Sequence, residues 1–97
     1  MNVIVAGKVY VDPAVRDRFV AAHREIVERG REYPGCLELS VSPDSVEPGR
    51  VNIYEYWDSH DSLDAFRAIA PAPAERIEML DMQVLKHDVS NTRGPFD

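Results

Sequence analysis

The chain has 97 residues, a formal net charge of −6, 44% hydrophobic residues and one cysteine, Cys36, which has no partner for an intrachain disulfide. This length makes a single domain over residues 1–97 with one modest core, and the acidic balance argues against a nucleic-acid or anionic-membrane surface, both of which need clustered Lys and Arg. No stretch approaches the ~18 apolar residues of a membrane span and no basic segment precedes an apolar run as in a signal peptide, so a soluble cytoplasmic protein is expected.

Val3 to Val11 is β-branched and apolar on both alternating faces, the pattern of a strand buried on two sides. Asp12 followed by Pro13 is a helix start, with Asp as cap and proline at a position whose N–H would be unpaired anyway. Val15, Phe19, Ala22, His23, Ile26 and Val27 recur at three-and-four spacing and form one apolar stripe. Arg16, Arg18, Arg24, Arg29 and Arg31 are interleaved with Asp17, Glu25, Glu28 and Glu32, as on a solvated helix face. The helix is expected to fade around Gly30, and Tyr33-Pro34-Gly35 turns the chain.

Cys36 to Ser42 alternates, placing Leu37, Leu39 and Val41 on one face and Glu38, Ser40 and Ser42 on the other. Pro43 to Gly49, with two prolines, Asp44 and Ser45, reads as a hairpin loop leading into a strand from Val51 to Trp57. Ser59 caps a short helix with Asp61 in its first turn; Leu63, Phe66 and Ile69 form its apolar side, and Pro71 and Pro73 end it. A further helical turn is expected over Ala74 to Ile77, then a last strand from Met79 to Val89 and a polar tail over 90–97.

The order β-α-β-β-α-β is ferredoxin-like. It predicts an α+β fold with a four-stranded antiparallel sheet and both helices on one face. Yet the first, third and fourth strands are apolar on both faces. A monomer would expose the uncovered face, so a homodimer packed through it is expected.

Val51, Ile53, Glu55 and Trp57 share one face of their strand. Glu55, a carboxylate in an apolar row, must be paired, hydrogen-bonded or near water; it reads as a structural group or as a pocket acid or base. Trp57 reads as a core anchor or as a flat wall for an aromatic ligand. His23, one turn after Phe19, reads as a satisfied core residue or as the group best placed to move a proton near neutrality. A small pocket lined by Phe19, His23, Trp57 and Phe66 would suit a flat apolar ligand. His23, His60 and His87 have no metal-ligand spacing, and there is no phosphate loop, nucleophile elbow or dinucleotide fingerprint; no metal or cofactor is expected.

Three stretches carry a resemblance: Glu32-Tyr33-Pro34-Gly35-Cys36-Leu37, Ser42-Pro43-Asp44 with Pro48-Gly49-Arg50, and Tyr54-Glu55-Tyr56-Trp57-Asp58-Ser59 leading to Leu63. Over roughly Val3 to Val84 the chain resembles the antibiotic biosynthesis monooxygenase family of small dimeric α+β barrel proteins. For the cofactor-free members, the resemblance implies oxidation of a small aromatic (a quinol, anthrone or polyketide-like molecule) with O₂. The substrate is deprotonated, the anion passes an electron to O₂, and the protein binds, orients and stabilises that anion. Trp57 carries over as a pocket wall. Beside it, His23 and Glu55 complete the expected catalytic set, with Phe19, Trp57 and Phe66 as substrate contacts. Some family members degrade haem. Here Phe66 and Ala70-Pro71-Ala72-Pro73 stand where histidines are common, Gly7 where haem-degrading members have Asn, and Ile53 where anthrone-oxidising members have Asn. These departures leave a second reading, a non-catalytic small-molecule-binding or accessory dimer of the same fold, and a third, a haem-binding protein.

Overall fold

In the computed structural model, which describes residues 1–97, β1 (Asn2–Tyr10) leads through a 3₁₀ turn (Pro13–Val15) into α1 (Arg16–Ala22) and α2 (Arg24–Glu32). Then come β2 (Cys36–Pro43), β3 (Arg50–Trp57), α3 (His60–Ile69) and β4 (Asp81–Val89). The strands form one antiparallel sheet in the order β2-β3-β1-β4, the ferredoxin-like α+β arrangement. No helix is long and apolar enough to cross a membrane.

The start signals act as read. Asp12 accepts a hydrogen bond from the Ala14 N–H at 2.9 Å, although the turn it opens is 3₁₀. Ser59 accepts from the Ser62 N–H at 3.1 Å and caps α3. Gly35 turns the chain with φ of 93°, where a Cβ would meet the Ser62 hydroxyl.

Four expectations need correction. The first helix is broken: the His23 N–H bonds back to Val20 O, while Val27 N–H bonds to His23 O. The Phe19 carbonyl, normally the acceptor for that N–H, is taken by the imidazole of His23 instead. The helix also does not fade at Gly30, which is buried in α2 because β2 and α3 press on it; a Cβ there would overlap Leu39. In β2 the register shifts between Cys36 and Glu38, a bulge that turns Leu37 out to 53% exposure and leaves Leu39 in the core. Finally, Pro71 and Pro73 end α3 as read, but Ala74 to Ile77 forms no helical turn and β4 begins at Asp81 rather than Met79.

Directly paired residues share a face. The row Leu39–Glu55–Val5–Lys86 therefore lies on the helix side, and Ser40–Tyr54–Ala6–Leu85 on the open side. The open side is apolar at Ile4, Ala6, Tyr54 and Leu85, but Lys8, Asn52, Gln83 and His87 share it, so it is mixed rather than wholly apolar. The core on the helix side has two centres. Val3, Val5, Leu39, Trp57, Leu63 and Phe66 form one, and Val9, Val11, Phe19 and Val51 the other.

Candidate functional site

Two adjoining cavities of about 410 and 350 Å³ share Phe19, His23 and Met79 as walls, and the smaller lies between sheet and helices. The larger opens towards the 70–80 segment at Pro73, Arg76 and Ile77. The smaller runs over the sheet, with Val5, Ile53 and Glu55 beneath it and Arg67 and Lys86 at its margin.

His23 owes its position to the break between α1 and α2. Its Nδ1 lies 2.7 Å from the Phe19 carbonyl oxygen, which can only accept, so Nδ1 carries the proton. Nε2 then keeps its lone pair in the neutral ring and has no hydrogen-bond partner in the protein. The ring packs against Phe19 with centroids 4.4 Å apart, which fixes its plane.

Glu55 sits between Val5 and Leu39, each 4% exposed, in a cross-strand row. The Trp57 indole N–H donates to Glu55 Oε1 at 3.0 Å, a contact set by the two-residue repeat of β3. The other oxygen has no hydrogen-bonding side chain, and half-buried Glu55 is part of the smaller cavity's wall.

Trp57 itself is fully buried. It packs against Phe66 with centroids 5.5 Å apart and against Tyr33 at 6.4 Å, inside the first core centre. Phe66 is 4% exposed in the same cluster. The structure thus brings Phe19, His23 and Glu55 around one cavity and places Trp57 and Phe66 behind it. Trp57 reaches the cavity only through its hydrogen bond to Glu55.

Reading along the chain missed Arg67 and Lys86. The available signal for Lys86 was its parity with Met82 and Val84, the helix-facing side of β4. Cys36 is a half-buried free thiol. Burial, then the charges of Glu38 and Glu55, push its pKa up and hold it protonated. No three His, Cys, Asp or Glu side chains converge closely enough to hold a metal ion.

The antibiotic biosynthesis monooxygenase model matches residues 2–70, more than half of the chain. The chain belongs to that family. Among solved structures, a "Putative antibiotic biosynthesis monooxygenase" from Nitrosomonas europaea superposes with a TM-score of 0.71 at 15% identity, over 94% of this chain and 100% of that one. A conserved protein from Methanosarcina mazei Go1 gives 0.69 at 21% identity, over 90% and 89%. These likenesses show the family's fold. The uncharacterized protein sll1783 from Synechocystis is 31% identical over 62 residues, 64% of this chain and 42% of that relative. Over that match the chain spans less than half of the curated relative's length.

Proposed function

We propose that this family member is a cytoplasmic, cofactor-independent monooxygenase that binds a flat, mostly apolar aromatic in the cleft between sheet and helices and oxidises it with O₂. The observation that carries the reading is the fixed His23 tautomer: Nδ1–H is held on Phe19 O at 2.7 Å, which leaves Nε2 as a base on the cavity wall.

In this reading Nε2 takes the proton of an acidic phenolic or enolic O–H. The anion gives one electron to O₂, and the resulting superoxide and substrate radical combine at carbon. For an anthrone, whose enol form carries that O–H, the peroxide then loses water: the O–O bond breaks, one oxygen stays on the former CH₂ carbon as a carbonyl, and the other leaves as water with the two hydrogens of that CH₂. Phe19 and Ile53 supply apolar walls. Glu55, held by Trp57, is the second polar group that orients the substrate, and Trp57 and Phe66 stiffen the floor from behind. The mixed open face of the sheet packs on a second copy, expected as a dimer at micromolar concentration in analytical ultracentrifugation.

Oxygen uptake is the test. Purified protein is expected to consume O₂ with at least one member of a panel of hydroquinones and anthrones. His23→Ala should lower kcat by about 10²-fold, the usual contribution of a positioned base. A wild-type rate equal to that of the variant would leave the accessory-dimer reading in its place.

A further inference from the structure

The pattern of charges points beyond a neutral aromatic. Six arginines (Arg16, Arg18, Arg24, Arg29, Arg31 and Arg50) are each in an ion pair with a carboxylate. Five Lys and Arg side chains are in none; Lys8 lies on the open face of the sheet and Arg93 in the C-terminal tail, whereas Arg67 and Lys86 line the smaller of the two adjoining cavities and Arg76 the larger. Three of the five unpaired cations thus gather at one cleft in a chain of net charge −6.

Each cation has an ordinary use that does not explain its position. Arg67 lies in the last turn of α3, where a positive charge suits the helix dipole, but any outward direction would serve that purpose. Lys86 lies on an edge strand, where lysine discourages pairing with other chains, yet it stands on the helix-facing row above the cavity. In that row Glu55 is two strands away, roughly 10 Å at the usual strand spacing, and no ion pair joins them. The smaller cavity is therefore lined by an acid and a base, Glu55 and His23, and by two exposed cations in no ion pair, with Val5 between Glu55 and Lys86 in the sheet row.

We propose that the ligand of this cleft is an aromatic acid: its apolar body lies on Val5 and Val84, and an ionised carboxylate is held at the margin by Arg67 and Lys86. This deepens the oxygenase reading and rests on it for the position of the ring. The carboxylate would act as a handle, setting which ring position faces His23, and takes no part in the redox chemistry. Two exposed cations at the margin favour an anionic group there over a neutral or cationic one.

The experiment compares a polycyclic aromatic carboxylate, anthraquinone-2-carboxylate, with its carboxamide, which has the same shape and no charge. Titration calorimetry on the full chain is expected to show the acid binding ten- to a hundredfold more tightly, as for a charge-assisted hydrogen-bonded pair. The preference should weaken in Arg67→Gln and in Lys86→Gln, vanish in the double variant, and largely return in Arg67→Lys/Lys86→Arg. Circular dichroism melts, expected to be unchanged for these exposed positions, separate lost binding from lost folding. Equal affinity for acid and amide, no binding of either, or a preference that survives the double variant overturns the proposal. Oxygen uptake is scored separately. Acid binding with no turnover of any panel member would sink the oxygenase reading alone; turnover of neutral anthrones without acid preference would sink this one alone.

Discussion

The two sides of the sheet differ in how they use their side chains. On the β2–β3 side, α2 and α3 press close enough to bury Trp57, Leu39, Leu63 and Phe66 almost completely, and Tyr33 closes the cluster. On the β4 side the helix-facing row reads Met82, Val84, Lys86 and Asp88, of which only Val84 is half-buried and the rest are exposed. Large aromatics are spent on the first side for packing, and the second keeps space, cations and the base His23. Stability and the proposed binding would thus rest largely on different residues, with the Trp57–Glu55 hydrogen bond as the link between them.

The largest effect should come from breaking the packed side. Trp57→Ala is expected to cost about 3–5 kcal/mol, the range for emptying a buried aromatic site, against a total of roughly 5–15 kcal/mol for a domain of ordinary stability. Urea denaturation measures it; a loss below ~1.5 kcal/mol would mean that the two sides are not so unlike. Next comes Gly7, where β1 meets β4: a Cβ would lie 2.0 Å from the Gln83 carbonyl oxygen, backbone that cannot step aside. Gly7→Ala should cost about 2 kcal/mol by overpacking, and the same titration would show whether β4 is held as firmly as its pairing implies.

The link between the sides is tested by Trp57→Phe, which keeps a ring in the core and removes the N–H that holds Glu55 Oε1 together with part of the buried indole volume. About 1 kcal/mol of stability should go with the hydrogen bond, and the space left by the smaller ring adds to it. If Glu55 orients the substrate, KM should rise more than kcat falls when oxygen uptake is followed. An unchanged KM would confine Trp57 to packing.

Much of the fold was legible along the chain because it rests on local patterns. The caps at Asp12 and Ser59, the turn at Gly35 and the two-residue alternation of β3 need no distant partner to be read. The bulge after Cys36 was not legible, because a one-residue shift in register leaves the alternation of Leu37, Leu39 and Val41 intact while turning Leu37 outward. Nor was the break at His23, where a side chain competes with its own backbone for the Phe19 carbonyl. The site divided along the same line. His23, Phe19 and Glu55 stand out as polar or aromatic members of apolar rows. Trp57 and Phe66 carry the same signal, and only packing against Tyr33 and Leu63 puts them behind the cavity rather than on it. Arg67 and Lys86, 19 positions apart in the chain (86 − 67), come to one cavity only through folding.

The smallest expected effect concerns the hairpin that closes the packed side. Asp44 accepts hydrogen bonds from the Glu47 N–H at 2.8 Å, the Asn52 amide at 2.9 Å and the Val46 N–H at 3.1 Å. With the Glu47 N–H foremost, these donors pull its pKa down from 3.8 to about 2. A carboxylate lowered on folding stabilises the protein fully above its unfolded pKa and loses that contribution as pH falls through the folded one. Asp44 should therefore favour the folded state above about pH 4 and cease to do so near pH 2. Other carboxylates titrate in the same window, so the informative quantity is the difference in melting temperature between wild type and Asp44→Asn. That gap is expected to be widest above pH 4 and to close towards pH 2. A gap that stays constant with pH would mean that the hairpin is held by its backbone bonds, Asp44 N–H to Arg50 O and Arg50 N–H to Glu47 O, rather than by the charge.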